Sequence, residues 1–488
     1  MNSVAENVNQ LQIIKQVAKP SILLDEMSVI DTEYGTNQTI GPDNQGPVKY
    51  TKAVAGDMPL VYMNKVYYRG VDIVSMRIYS TDFLPRLDLT LLIRNKVVYS
   101  TSFPKDGDIV SIFVRSKDDL LKPIRNDYYI TSVRIDSSRN ETGYDNMYIA
   151  GILYVPGMNS QKCQFNSGKS IDVLHKISQE LQIGFATNET DTSDDQTWIS
   201  PYQKKIDYVK EISNSAWKNE DSFFKTFIDV FYHLNFVNVD PLFSLTPGFE
   251  LGVDMQTFSS DYDDFMELMK HESNIMLTNS SSAKFSKFRI ANYEQKNFAN
   301  AINFHAGYMK YMHYYDSLLK EKIVFLSDPK TTPGAEKDKY LLRGRNAEDQ
   351  KDMYVSHDWM GTVYGANGEN CHSKYLYAKS WNYQNLLHLQ KLSLDVTLEG
   401  VNMNLRRFQV IPVLIVIERD QSRKQANQTE ESDDKSGQSQ TDQDLLAVDK
   451  FYSGFYVIDA IEYIYEMGLL KQKLTLLRRE WPVPPNKK

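Results

Sequence analysis

The sequence of 488 residues contains only two cysteines, Cys163 and Cys371. A disulfide framework or a multi-cysteine zinc site needs more cysteines than this, so the sequence excludes both. No run of 18 apolar residues occurs, and we therefore predict no membrane insertion. The first residues, MNSVAENVNQLQIIKQ, include an acid and lack a long apolar core, so we predict no secretory signal.

The chain also lacks the charge and the motifs of several functional classes. Its net charge of -8 argues against an overall surface for polyanions, so nucleic acid is not expected as the main ligand. The eight histidines form no HExxH or HxH pattern, and no Gly-x-Ser-x-Gly motif is present. Cys371-His372 is a lone adjacent pair, whereas a metal needs three or four converging ligands. We predict no catalytic residue, no metal site and no cofactor.

Gly168-Lys169-Ser170 looks like the end of a phosphate-binding loop, but the rest of that motif is missing. A P-loop requires a glycine five residues before Gly168, and Cys163 stands there. We interpret the segment as a helix start with Ser170 as N-cap and Gly184 as a left-handed stop. The helical spacing predicts one buried face, made of Ile171, Leu174, Ile177 and Leu181.

Aromatic residues, by contrast, are abundant, with 31 tyrosines and 22 phenylalanines, and they favour strands and interfaces. After an extended leader over residues 1–58, residues 59–160 show repeated β-branched and aromatic runs separated by turn residues. Such runs include VYYRGVDIVSMRIYS, GDIVSIFVRS and DYYITSVRID. The pattern predicts a first β-barrel.

Residues 161–375 change to a helical period and then to a mixed pattern, which predicts a helical and mixed α/β middle domain. A second helix is predicted to begin at Ser200-Pro201, with Ile206, Val209 and Ile212 on one face. A third is predicted to begin near Asn219 or Asp221. Its apolar face would contain Phe223, Phe224, Phe227, Ile228, Phe231 and Leu234.

Residues 376–485 are predicted to form a second β-barrel, with a hairpin turn at Met467-Gly468 and strands in LHLQKLSLDVTLEG, QVIPVLIVIERD, GFYVIDAIEYIYEMG and LLKQKLTLLRREWP. Residues 421–444 are almost entirely polar and predict a disordered loop, because they cannot bury enough apolar area to order themselves. The two β regions also follow the same sequence of features. Matching Val110 to Val413 gives an offset of 303, and matching Tyr129 to Tyr456 gives 327.

The difference between these offsets, 24, equals the length of the polar segment 421–444, which would be an insertion into the second copy. The sequence therefore predicts a β-rich α+β fold in which two related β-barrels flank a helical and mixed insertion domain. The competing interpretation is that any two sets of antiparallel hairpins look alike.

Several segments, taken in order, resemble baseplate central hub proteins of contractile-tailed bacteriophages of the T-even kind, especially those of large phages. They are SIDVLHKISQELQIGFATN, DSFFKTFIDVFYHLNFVNVD, KYLYAKSWNYQNLLHLQKLSLDVTLEGVNMNLRRFQVIPVLIVI and GFYVIDAIEYIYEMGLLKQKLTLLRREWPVP. The resemblance covers residues 60 to 485. The leader and the loop 421–444 depart from the smaller members of that family.

The resemblance implies a structural protein of the virion, located in the tail baseplate and made in the host cytoplasm. It implies two barrels related to the tail-tube subunit and assembly as a homotrimer, so that three chains adapt a three-fold spike to a six-fold tube. The implied partners are other copies of the chain, the tail spike or puncturing protein, the tail-tube proteins and baseplate wedge components. Repeated contacts of this kind suit a closed ring.

Five residues near strand ends are candidates for contacts to other chains, because arginine and tryptophan are enriched at the centres of interfaces. They are Arg406, Arg407, Arg478, Arg479 and Trp481. Exposed arginines at strand ends are the competing interpretation.

A tail-associated cell-wall hydrolase or a glycan-binding tail protein is the alternative function. Asp261, Asp263 and Asp264 could form a hydrolytic carboxylate cluster. Acids at a helix start more often interact with the helix dipole, so we predict a protein without enzymatic activity.

Overall fold

The structure is a computed structural model. It describes residues 14–21, 38–40, 47–49, 59–64, 66–68, 70–94, 98–105, 107–114, 124–136, 144–244, 277–279, 289–298, 301–302, 309–327, 355–363, 371–390, 392–418, 446–448, 452 and 454–478. Several predictions fall on residues outside these ranges: most of the leader 1–58, the polar segment 421–444, the acids Asp261, Asp263 and Asp264, and the interface candidates Arg479 and Trp481.

The N-terminal part of the described chain is made almost entirely of strands. Its elements are β1 (Lys15–Ala18), β2 (Gln38–Ile40), β3 (Pro47–Lys49), β4 (Leu60–Met63), β5 (Val66–Tyr68), β6 (Ile73–Ser80), β7 (Arg86–Ile93), α1 (Val98–Thr101), β8 (Ile109–Val114), β9 (Ile124–Asp136) and β10 (Asp145–Leu153). Strands β4 to β10 pair in the order β6-β7-β10-β9-β8-β4-β5 and form the first β unit. Side chains alternate between buried and exposed along β7, as expected for a sheet with one covered face.

The middle of the chain combines helices with short strands. Its elements are β11 (Gln164–Gly168), α2 (Ser170–Glu180), β12 (Gly184–Thr187), β13 (Gln196–Ser200), α3 (Lys205–Ser215), β14 (Phe224–Ile228), β15 (His233–Asn238), α4 (Asp240–Ser244), β16 (Leu277–Thr278), β17 (Ile290–Asn297), β18 (Met309–Asp316), β19 (Glu321–Ser327) and β20 (Val355–Val363). Strands β1, β12, β15 and β14 form a separate four-stranded sheet.

The C-terminal part begins with a long helix and continues with strands. Its elements are α5 (Tyr375–Leu389), β21 (Leu392–Leu398), β22 (Val410–Leu414), β23 (Val416–Glu418), β24 (Leu446–Val448), β25 (Gly454–Glu466) and β26 (Leu469–Leu477). Strands β17, β21, β26, β25 and β22 form the second β unit, so β17 comes from the middle of the sequence but pairs with β21. Strand β25 also pairs with β6, which makes the two units one continuous sheet.

The predicted β-rich α+β fold with two related β regions is confirmed. The buried face predicted for the first helix is also confirmed, since all four of its apolar residues are buried in α2 and the residue after it. At the predicted hairpin turn, Met467 and Gly468 have φ angles of 53° and 78°. Two successive positive φ values define the tight turn that matches strand twist, and glycine adopts the second without strain.

The predicted third helix is wrong, because its residues form strands β14 and β15 with a turn between them. Both strands are buried on both faces, so their apolar residues form a nearly continuous run that also fits a helical period. Tyr232, with a φ of 59°, lies in the turn that reverses the chain. The second helix begins at Lys205, and Ser200 instead ends strand β13.

The predicted ends of the first helix need correction as well. The side chain of Ser170 does not cap α2; the backbone N–H of Ser170 donates to Asp194 Oδ1 at 3.0 Å. The left-handed residue is Gln182, with a φ of 58°, and Gly184 lies in strand β12. A Cβ on Gly184 would lie 2.4 Å from His233 Cδ2, so a close approach between neighbouring strands requires glycine there.

A main hydrophobic core links the two β units with the middle segment. It contains residues such as Val61 from the first unit, Leu174 from α2 and Leu474 from the second unit. A second cluster packs the middle segment, including Trp217 and Phe223, against helix α5 and the second unit. The middle segment therefore covers the faces of both units.

Candidate assembly interface

Strands β25 and β6 form the junction between the two β units. Six residue pairs join them in antiparallel register, from Ile461 opposite Ser80 to Glu466 opposite Ser75. Arg77 Nε donates to Glu466 Oε1 at 3.2 Å, which adds an ion pair on the exposed face. These residues are almost 390 positions apart in sequence, so the junction is a long-range contact.

The opposite face of this junction is apolar and buried. Met76 and Ile78 of β6 lie in the core with Tyr463 and Tyr465 of β25. Burial raises the pKa of Tyr463 to about 12, because the apolar surroundings disfavour the charged phenolate. The pairing between β25 and β6 therefore combines backbone hydrogen bonds with apolar burial, as in the interior of a domain.

Arg407, one of the predicted interface residues, lies inside the chain at this junction. Its guanidinium donates from Nη2 to the Thr81 carbonyl at 2.7 Å and from Nη1 to the Asp82 carbonyl at 2.8 Å. Its Nε donates to the carbonyl of Asp459, at the bulge of β25. The residue is 3 % exposed, and burial lowers its pKa against the opposing effect of the nearby acids. Arg407 thus connects the end of β6 to β25.

Arg406 lies beside it and holds the turn between β14 and β15. Its guanidinium carbon lies 3.8 Å from the Phe231 ring centroid, and Nη1 donates to the Met403 carbonyl at 2.7 Å. The same turn contains the buried acid Asp229. Burial alone would raise its pKa, but hydrogen bonding from His233, including its backbone N–H at 3.0 Å, and the charge of Arg406 lower it overall.

The remaining predicted interface residues lie at the end of the second unit or outside the described residues. Arg478 Nη1 contacts the Tyr456 hydroxyl at 3.1 Å, and its guanidinium carbon lies 4.9 Å from the Tyr456 ring centroid. Arg479 and Trp481 belong to the residues that the structure does not describe. For all five residues, contact with another chain stays a prediction.

The internal repeat is visible in the β-bulges, because each unit has two bulges and they lie at equivalent positions in the two units. In the first unit, Thr131 is the extra residue of β9 against β10, and Val74 is the extra residue of β6 against β7. In the second unit, Asp459 is the extra residue of β25 against β26, and Ala291 is the extra residue of β17 against β21. Strand order and bulge position therefore agree between the two units: β6, β7, β10, β9 and β8 correspond to β17, β21, β26, β25 and β22.

The bulges correct the alignment predicted from sequence. Thr131 and Asp459 give an offset of 328, one more than the predicted 327, so Tyr456 corresponds to Tyr128 rather than Tyr129. The difference decides which face a side chain occupies, since Tyr128 and Tyr456 are buried while Tyr129 is 43 % exposed.

The correction extends to the neighbouring strand. Because Val110 pairs with Tyr128 and Ile411 pairs with Tyr456, Val110 corresponds to Ile411, an offset of 301. The two offsets then differ by 27 (328 less 301) rather than by the 24 residues of the predicted loop.

One signal in the sequence could have found the correct alignment. Strand β7 contains LDLTL at residues 87–91 and β21 contains LDVTL at residues 394–398. Asp88 lies opposite Arg77 and Asp395 lies opposite Glu294, which is the same place in the two sheets. The match shows the repeat directly, without assuming the length of any loop.

Two histidines lie close together among the described residues, with His313 Nε2 3.0 Å from His357 Nδ1, but no third possible metal ligand joins them there. His372 is buried, its backbone N–H donates to Gln196 Oε1 at 3.0 Å, and its Nε2 lies 3.0 Å from the Ser215 carbonyl. Burial lowers the pKa of His372. No group of three or more possible metal ligands occurs in the part of the chain that the structure describes. None of the helices in that part is long and apolar enough to cross a membrane.

No protein-family model and no curated protein sequence matches the chain. Among solved structures, it is similar to the tail protein from Neisseria meningitidis MC58, with 10 % identity, a TM-score of 0.46, and coverage of 88 % of this chain and 98 % of that chain. It is also similar to the 43 kDa tail protein of prophage MuSo2 from Shewanella oneidensis, with 7 % identity, a TM-score of 0.45, and coverage of 88 % and 100 %.

A third similar structure is the E. coli c3393 protein, a component of the type VI secretion system described as structurally similar to T4 bacteriophage tail proteins gp27 and gp5. The identity is 8 %, the TM-score is 0.36, and the match covers 85 % of this chain and 76 % of that chain. The neighbours are tail and secretion-system proteins. These neighbours are of the same kind as the phage tail proteins that the sequence resemblance names.

Proposed function

We propose that this chain is a non-enzymatic structural protein of a contractile tail, a baseplate hub that assembles as a homotrimeric ring. The support from sequence is the ordered resemblance across residues 60 to 485. In this proposal the ring adapts a three-fold spike below to a six-fold tube above. It acts in the virion tail baseplate after synthesis in the host cytoplasm.

The observation that carries the proposal is the repeat of one β unit within the chain. Both units have the same strand order and carry bulges at equivalent positions. They are joined edge to edge by β25 and β6. Three such chains supply six similar units to a closed ring, which is the number that a six-fold tube requires.

The proposed partners follow from this arrangement. The spike or puncturing protein would bind the three-fold side of the ring, and tail-tube proteins would bind the side with six similar units. Wedge components would contact the periphery. Nucleic acid is not a partner in this proposal, because the chain is acidic overall, with a net charge of -8.

The test is native mass measurement with negative-stain imaging of the purified chain, alone and mixed with its spike protein. We expect a ring of three 56.4 kDa chains with six similar lobes around a central channel. A compact monomer in both samples would contradict the proposal. The mixed sample matters because a ring can depend on its partner for stability.

The absence of enzymatic activity is tested separately with purified peptidoglycan. We expect no release of soluble fragments by the intact chain. Turnover that is abolished by Asp263→Asn would contradict the proposal and support the cell-wall hydrolase. Turnover that survives in this variant would contradict the non-enzymatic part of the proposal. The trimeric ring would then still be tested by the native mass measurement.

A further inference from the structure

The second half of strand β9 differs from its counterpart in β25. From Ser132 to Asp136, β9 has a described strand neighbour on one side only, namely β10. The equivalent part of β25 lies between β26 and β6. Ile135 is 36 % exposed, whereas Tyr463, its counterpart at an offset of 328, is 1 % exposed. Among the described residues, this half of β9 thus has an open edge, whereas the corresponding edge of β25 is paired with β6.

The opposite edge of the repeat shows the complementary difference. Strand β17 corresponds to β6 at an offset of 217, from Val74 to Ala291. Along Glu294, Gln295 and Lys296, β17 has one described strand neighbour, β21. The equivalent residues of β6 lie between β7 and β25, where Ile78 is fully buried.

We propose that β9 of one chain pairs antiparallel with β17 of a second copy, in the register that β25 and β6 adopt within the chain. This inference rests on the proposed ring and names its contact. The residues of β9 are found by subtracting 328 from the residue numbers of β25, and those of β17 by adding 217 to the residue numbers of β6. The expected pairs between copies are Arg134 with Lys296, Ile135 with Gln295, and Asp136 with Glu294.

A second copy is the occupant because each chain carries both halves of the contact. The second half of β9 extends past its pairing with β8 in the first unit, and β17 lies at the far edge of the second unit. Repeating one junction between copies generates a heterologous contact, and such contacts close into a ring when the rotation permits. An exposed strand edge in a native protein is also a ready template for pairing with another chain.

The side chains of the proposed contact balance in charge. In one expected pair two bases, Arg134 and Lys296, lie opposite each other. Two positions further along the strands, two acids, Asp136 and Glu294, lie opposite each other. The diagonal from Asp136 to Lys296 joins opposite charges in the same sense as the diagonal from Arg77 to Glu466 within the chain. Lys296 also contacts Asp395 of its own chain at 2.6 Å, which reduces its repulsion of Arg134.

The register can be tested by disulfide trapping. In a chain with Cys163→Ser and Cys371→Ser, the pair Ile135→Cys and Gln295→Cys places one thiol on each proposed edge. The pair Arg134→Cys and Lys296→Cys tests the neighbouring position, because disulfide geometry suits only some pairs across a sheet. The matched control combines Ile135→Cys with Lys296→Cys, a shift of one residue that turns the second thiol to the other face.

Oxidised samples, with and without the spike protein, are compared on non-reducing gels. We expect bands at two and three times 56.4 kDa in at least one facing pair and only monomer in the shifted pair and in each single variant. A native trimer that forms with neither facing pair trapped would overturn the register but leave the ring intact. A chain that stays monomeric in both samples would overturn the ring and the register together.

Discussion

Strands β9 and β25 each contain 13 residues and carry a bulge at equivalent positions, but their second halves have different surroundings. In β25 this half is covered by β6 and is mostly buried. In β9 the same half has exposed side chains on both faces, such as Ser132 and Ile135. The equivalent halves of these strands therefore differ because, among the described residues, only that of β25 is paired with a strand of the other unit.

The largest expected effect is a difference in stability between equivalent substitutions in β25 and β9. Tyr463→Ala removes a fully buried aromatic side chain from the internal junction and is expected to lower the free energy of unfolding by roughly 3 to 5 kcal/mol. Ile135→Ala, at the equivalent exposed position, is expected to change it by less than about 1 kcal/mol. Urea unfolding of both variants measures the difference. Similar losses in the two variants would show that β9 is covered within the monomer.

The next effect concerns Arg407 at the internal junction. Arg407→Ala removes three hydrogen bonds from a buried guanidinium to the carbonyls of Thr81, Asp82 and Asp459. We expect a loss of roughly 3 kcal/mol in unfolding free energy, because the charged donor and the buried packing of its side chain are both lost.

Arg86→Ala is the matched control for this variant. Arg86 forms an exposed ion pair with the Asp82 carboxylate, so its removal is expected to cost less than about 1 kcal/mol. Equal stability of Arg407→Ala and Arg86→Ala in urea unfolding would contradict the assigned role of Arg407.

Acid sensitivity gives a smaller effect and concerns strand β21, which lies next to the edge strand β17 of the second unit. Burial alone would raise the pKa of Asp395, but hydrogen bonds from Lys296, Lys473 and Thr475 lower it overall. Its stabilising contribution is therefore full above the pKa of an unfolded aspartate, about 4, and declines as the pH falls through the lower folded value. Asp395→Asn is expected to flatten the acid side of the stability curve measured by urea unfolding. An unchanged slope in this variant would contradict the prediction.

The smallest expected effect is that of the exposed ion pair at the internal junction. Arg77 and Glu466 are each nearly half exposed, so their coupling energy in a double-mutant cycle is expected to be about 0.2 to 1 kcal/mol. It should decrease as salt is added. A coupling above about 2 kcal/mol would mean that the ion pair, rather than apolar burial and Arg407, holds β25 to β6.

Sequence patterns predicted those local features of the chain that depend on residues close to one another in the sequence. The apolar face of α2 follows from the spacing of Ile171, Leu174 and Ile177, and the turn at Met467-Gly468 follows from a residue that tolerates positive φ. The same approach failed at Phe223 to Leu234. A strand covered on both faces has no alternation of apolar and polar residues, so its pattern cannot be told from that of a buried helix.

The interface candidates show a second limit of sequence reasoning. The enrichment of arginine at interfaces predicts contacts of Arg406 and Arg407 with other chains, but the described contacts of both lie within the chain. The residues they bind, such as Thr81 and Phe231, are distant in sequence, and no local pattern indicates them. Strand edges such as that of β9 could not be predicted either, because an edge is defined by the absence of a neighbour.

The sequence by itself determined that the chain is β-rich, that two of its regions are related, and where the turn at Met467-Gly468 and the first helix lie. These properties depend on composition, spacing and turn residues within a few positions of one another. Tertiary structure alone decided the one-residue register of the repeat, the enclosure of Arg407 and the contrast between β9 and β25. Each of these depends on which distant strand supplies the next hydrogen bonds, and that choice is made only when the whole sheet assembles.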